Sequence, residues 1–73
     1  MKEQATALGF IYNRRGCSCS GSPYIYRAQR NNTPYELTIY EGRNSWKLTA
    51  RNTTIASGNA TNLTTKITEI WES

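Results

Sequence analysis

The chain predicts a small α+β domain, an antiparallel sheet of three to five strands with one C-terminal amphipathic helix packed on one face. Three observations carry that prediction. Residues 35–41 (YELTIYE) and 45–51 (SWKLTAR) alternate apolar and polar side chains on either side of a short Gly-Arg-Asn turn, the period of a half-buried strand. From Ala60 onward the period lengthens, and Ala60, Leu63, Ile67, Ile70 and Trp71 fall along one stripe of a helix of about three turns. Finally, 73 residues make one domain. A chain of that size buries only about 60% of its unfolded surface, so it needs nearly every large apolar residue for its core.

Residues 1–6 carry two charges and no apolar period, and are expected to be a flexible lead-in to a single domain over residues 7–73. In residues 7–12, Leu8, Phe10 and Tyr12 alternate with Gly9 and Ile11, which predicts a strand. Residues 13–23 (NRRGCSCSGSP) are dense in turn formers and close on proline, which predicts a loop. Residues 24–28 (YIYRA) are rich in strand formers and are followed by the turn-forming QRNNTP. Parity sets Tyr24, Tyr26 and Ala28 against Ile25 and Arg27 without deciding which set faces inward.

The hairpin that follows is plainer. Tyr35, Leu37 and Ile39 share one face of its first strand; Trp46, Leu48 and Ala50 point inward from its second, leaving Lys47, Thr49 and Arg51 outward. A tight turn near Asn52 leads to a short strand over residues 53–57 whose only large apolar residue is Ile55. Gly58 is expected to end the sheet, with Asn59 or Thr61 capping the helix through a side-chain oxygen. The expected core is Ile25, Leu37, Ile39, Trp46, Leu48 and Ile55 under the helical stripe.

The residue inventory argues against catalysis. There is no histidine and no aspartate, which removes the commonest general base, and the carboxylates Glu3, Glu36, Glu41, Glu69 and Glu72 form no acid/base pair. Cys17 and Cys19 supply two of the four ligands that zinc requires, so metal binding there needs a second molecule, and no catalytic residue, cofactor or intrinsic metal site is expected. Arg14 and Arg15 can lower a thiol pKa but cannot shuttle protons. The longest apolar run near the N-terminus, residues 7–12, is too short for a membrane span and contains a glycine, which points to a cytoplasmic protein without membrane contact. Four Asn-x-Thr sequences, at Asn31, Asn52, Asn59 and Asn62, then reflect composition alone.

The formal charge is +4, with six arginines among nine basic residues. Arg27, Arg30, Arg43, Lys47 and Arg51 gather on predicted strands and turns, and Tyr40 shares the outward face with Lys47 and Arg51. That combination of cations and a stacking surface fits DNA or RNA. A sheet backed by one helix is also similar in outline to the sheet-type DNA-binding domains of plant transcription factors and of some integrase N-termini. Five tyrosines and two tryptophans equally fit a protein-contact surface, and an open edge strand permits self-association into a dimer.

The runs GCSCSGSPY (residues 16–24), RNSWKL (43–48) and IASGN (55–59) resemble short proteins of Bacteroidetes genomes, some sited in phage or mobile-element regions, over residues 8–71. The resemblance implies an accessory protein and assigns no catalytic residue or ligand. The leading expectation is a non-enzymatic binding or assembly module with a protein partner, with nucleic-acid binding through the outward sheet face as the alternative.

Overall fold

Hairpin chemistry sets the architecture. In the computed structural model, which describes residues 1–16 and 23–72, five strands run in chain order as an antiparallel meander. They are β1 (Ile11–Arg15), β2 (Tyr24–Arg30), β3 (Thr33–Tyr40), β4 (Ser45–Ala50) and β5 (Thr53–Asn59). Asn31 and Asn32 (φ 52° and 64°) join β2 to β3, and Arg51 and Asn52 (φ 52° and 65°) join β4 to β5. Paired positive φ values define the two-residue turn whose twist matches that of the strands it joins. Tyr40 and Ser45 close the central hairpin around a 3₁₀ turn at Glu41–Arg43, with Asn44 left-handed at φ 54°.

The sheet holds two helices on one face. The expected C-terminal helix is α2 (Leu63–Glu72), and its stripe seats Leu63 and Ile67 with no exposure while Ile70 and Trp71 pack at the margin. Residues 1–6, expected as a lead-in, instead hold most of a second helix, α1 (Lys2–Ala7). Six residues are too few to be stable alone. Ala5 is therefore the decisive residue, since it is fully buried in the same cluster as Phe10, Leu37 and Ile39. The strand expected over residues 7–12 starts only at Ile11, because the Phe10 amide donates to the Ala5 carbonyl (3.0 Å) and Gly9, at φ 98°, makes the bend between helix and strand.

Register decides the faces that parity left open. Tyr24 pairs with Ile39, Tyr26 with Leu37 and Ala28 with Tyr35, so all three face the helices, and Tyr26 is only 6% exposed. Two expected core residues are thereby displaced. Ile25 is buried, but on the opposite face beside Thr38 and outside the main cluster. Ile55 is 43% exposed, because the ladder from β4 to β5 slips between Leu48 and Thr49 and leaves Ile55 as an extra residue in a bulge, with Ala56 taking the inward place.

Gly58 does not end the sheet, since it pairs with Trp46 inside β5, and the Trp46 indole donates to the Asn59 carbonyl at 2.8 Å. The Asn59 side-chain oxygen accepts from the Thr61 amide (3.0 Å), ahead of the helix that starts at Leu63 and not from a helix amide as expected of a cap, while the Asn62 carboxamide oxygen accepts from the Asn59 amide (3.0 Å). This double clasp turns the chain from β5 into α2. At the other end of α2, Trp71 stacks on Phe10 (5.6 Å between centroids), meets Tyr35 edge-on (4.9 Å) and donates to the Leu8 carbonyl (3.2 Å). One indole thus joins the last helix to the N-terminal segment and the β2–β3 hairpin.

Candidate binding surfaces on the sheet

Because both helices lie on one face, the register sorts the basic residues into two groups. Lys2, Arg15 and Arg30 belong to the helix side. The Lys2 ammonium lies 4.2 Å from the centroid of the Tyr24 ring, the Arg15 guanidinium lies 4.1 Å from that same ring, and Lys2 also reaches Glu41 at 3.8 Å. Arg30 lies 4.9 Å from the Trp71 ring, so the expectation that it joins an outward basic face is corrected: it shares strand parity with Tyr26 and Ala28 and stacks on the last turn of α2. Lys66, from α2, donates to the Ser57 carbonyl on β5 at 3.1 Å.

The helix-free face carries the second group. One cross-strand row runs Arg14, Ile25, Thr38, Lys47, Ser57, and the next runs Ile11, Arg27, Glu36, Thr49, Thr54. Arg14 and Lys47 therefore stand about 14 Å apart, three strand spacings, with Arg27 in the neighbouring row. Tyr40 lies on this face as expected, and the Arg43 guanidinium lies 5.7 Å from its ring. Arg51 occupies the β4–β5 turn. Of the expected set, Arg27, Tyr40, Arg43 and Lys47 thus lie on or beside one surface, Arg51 sits at its end, and Arg30 does not belong. Arg14 belongs to it and was missed, because the surrounding glycines and serines read as loop. Its signal was the strand-compatible run IYNRR, two residues of which pair with β2 beyond a bulge at Asn13.

The edges of the sheet differ in chemistry. Among the described residues, the exposed large apolar side chains are Ile11 (75%), Tyr12 (48%) and Ile55 (43%), all on the two edge strands. β5 carries no charge, and its Ser57 carbonyl is bonded by Lys66. β1 is exposed along its whole length and borders a groove of ≈ 400 Å³ lined by Ile11, Tyr12, Asn13, Arg27, Ala28, Gln29 and Pro34.

Burial pushes the Tyr26 phenol above its usual pKa of 10.0, partly offset by the nearby Lys2 charge. This group serves the core rather than a site. Among the described residues no three potential metal ligands come together, and no helix is long and apolar enough to cross a membrane; Cys17 and Cys19 lie outside the described residues. Comparison with protein-family models, with curated proteins and with solved structures finds no match to the chain.

Proposed function

We propose that this domain is a non-enzymatic binding module that engages a protein partner along edge strand β1. The carrying observation is the asymmetry of the two edges. β1 presents Ile11 and Tyr12 to solvent beside a groove, whereas β5 exposes Ile55 as its single large apolar residue and has its Ser57 carbonyl engaged by Lys66. Exposed apolar side chains on an unpaired edge are an aggregation hazard unless a partner covers them. The residue inventory, with neither histidine nor aspartate, supports the non-catalytic part of the reading. The test is co-purification from the native host with tagged wild type and with Ile11→Asp. A partner held by the first and lost by the second, at equal thermal midpoints, supports the reading; equal retention by both refutes it.

A second reading, binding of DNA or RNA on the helix-free face, is favoured by one specific observation. Arg51 holds a left-handed conformation (φ 52°) that asparagine or glycine takes more easily, at the end of a face carrying Arg14, Arg27 and Lys47. Backbone strain retained under a cation is the kind of feature that marks a functional position. Under this reading, affinity for a single-stranded oligonucleotide falls steeply with salt, and the Arg27→Glu/Lys47→Glu double variant loses both affinity and slope. Absence of salt-dependent binding by wild type ends it.

A further inference from the structure

The groove beside β1 lies at a step in the sheet. β2 runs from Tyr24 to Arg30, but β1 pairs with it only as far as Ile11 opposite Arg27, so among the described residues Ala28, Gln29 and Arg30 have no strand on that side. The chain before Ile11 has already left the sheet, the Phe10 amide being committed to Ala5.

Turn geometry shows which backbone groups the step leaves open. In a two-residue hairpin the residues flanking the turn, here Arg30 and Thr33, exchange both of their hydrogen bonds. Alternation from Arg30 then directs Ala28 and Tyr26 toward β3, and Gln29 and Arg27 away from it. Arg27 meets Ile11 of β1; the Gln29 N–H and C=O face the open step.

Building on the protein-binding reading, we infer that this step accepts a short, extended, acidic segment of a partner protein as an added strand in line with β1. The backbone of Gln29 supplies the pairing groups, and Ile11 and Pro34 supply apolar wall. Charge selects the occupant. Arg27 lines the groove, Arg30 flanks the step on its other face, and no carboxylate is among the lining residues, the nearest in the row being Glu36 on the inner side of Arg27. A second copy of this chain is a poor occupant. Its carboxylates sit in α1 (Glu3), in the 3₁₀ turn (Glu41), in interior strand β3 (Glu36) and in α2 (Glu69, Glu72), none on a free extended edge.

The test is a ¹⁵N-NMR titration of the full chain with a capped pentapeptide of alternating glutamate and valine, the same peptide with lysine for glutamate, and an oligothymidine. The acidic peptide should bind at about 0.1–1 mM, shift the amides of Ile11 and residues 27–30, and slow hydrogen exchange at the Gln29 amide at least about tenfold at saturation. Arg27→Glu should weaken it about three- to tenfold. Gln29→Pro, which deletes an outward N–H and no ladder bond, should abolish it while leaving the circular dichroism spectrum unchanged. No binding at several millimolar, equal binding of the lysine peptide, unchanged exchange at Gln29, or tighter occupation of the same residues by the oligonucleotide each overturns the inference. Failure here leaves the Ile11→Asp co-purification result standing, so the two readings fail separately.

Discussion

Ile67 is the residue on which the packing of helix on sheet can be tested most sharply. It lies one turn after Leu63 on the buried stripe of α2, and both have no exposure. Removing one methylene, Ile67→Val, should cost about 0.5–1.5 kcal/mol, and Ile67→Ala about 2–5 kcal/mol, the upper end applying where the rigid sheet beneath cannot collapse into the space. At about 0.05–0.15 kcal/mol per residue, a domain of 73 residues has roughly 4–11 kcal/mol in total. The valine variant should therefore lower the thermal midpoint by about 4–8 °C per kcal/mol lost. Ile67→Asp, which buries an unpaired carboxylate, should not fold. The matched control is Thr64→Asp, exposed in the first turn of the same helix, where no acidic residue now meets the positive end of the helix dipole. There the same carboxylate should be neutral or stabilise by about 0.3–1 kcal/mol. The assay is urea unfolding followed by tryptophan fluorescence and far-UV circular dichroism. Equal midpoints for the two aspartate variants would refute the placement of α2 on the sheet.

Arg51→Asn should raise stability by about 0.5–1 kcal/mol by relieving a left-handed arginine, visible as a higher urea midpoint at unchanged slope; a lower midpoint contradicts the turn assignment. Gly58→Ala should destabilise by about 0.5–1 kcal/mol, because a Cβ at that position would strike the Asn62 carboxamide and break its exposed bond to the Asn59 amide; a neutral outcome in thermal unfolding contradicts the clasp between β5 and α2. The Tyr26 phenol is held neutral by burial, with its folded pKa above the unfolded value near 10.0. Its contribution to stability is complete below pH 10 and is lost as pH rises through the folded value. Wild type should therefore lose stability above pH 10 more steeply than Tyr26→Phe, and parallel pH profiles would contradict the burial.

The elements readable from the chain were those with a strong local period or a committed turn. Tyr35, Leu37 and Ile39 alternate without interruption and pair with Ala50, Leu48 and Trp46, so the central hairpin follows from pattern alone. The α2 stripe is equally plain. The N-terminal helix was not readable, because six residues offer too little period and its formation depends on docking Ala5. The basic surface was half readable. Lys47 and Tyr40 follow from parity within an obvious hairpin, whereas Arg14 lies beyond a bulge, and Arg30 is placed by the length of a turn and by an indole 41 positions away in sequence.

Hydrophobic periodicity and turn chemistry, both local, determined the class of this protein: an antiparallel sheet with a C-terminal helix across it. Register is not local. Tyr24 and Tyr26 could face either way until the Asn31–Asn32 turn locked β2 against β3, and a shift of one residue would have put both on the helix-free side. The same register divides the basic residues between aromatic stacking under the helices and the open face. The relative lengths of β1 and β2, set by where the docked helix α1 turns the chain away, decide that β1 covers β2 only as far as Arg27.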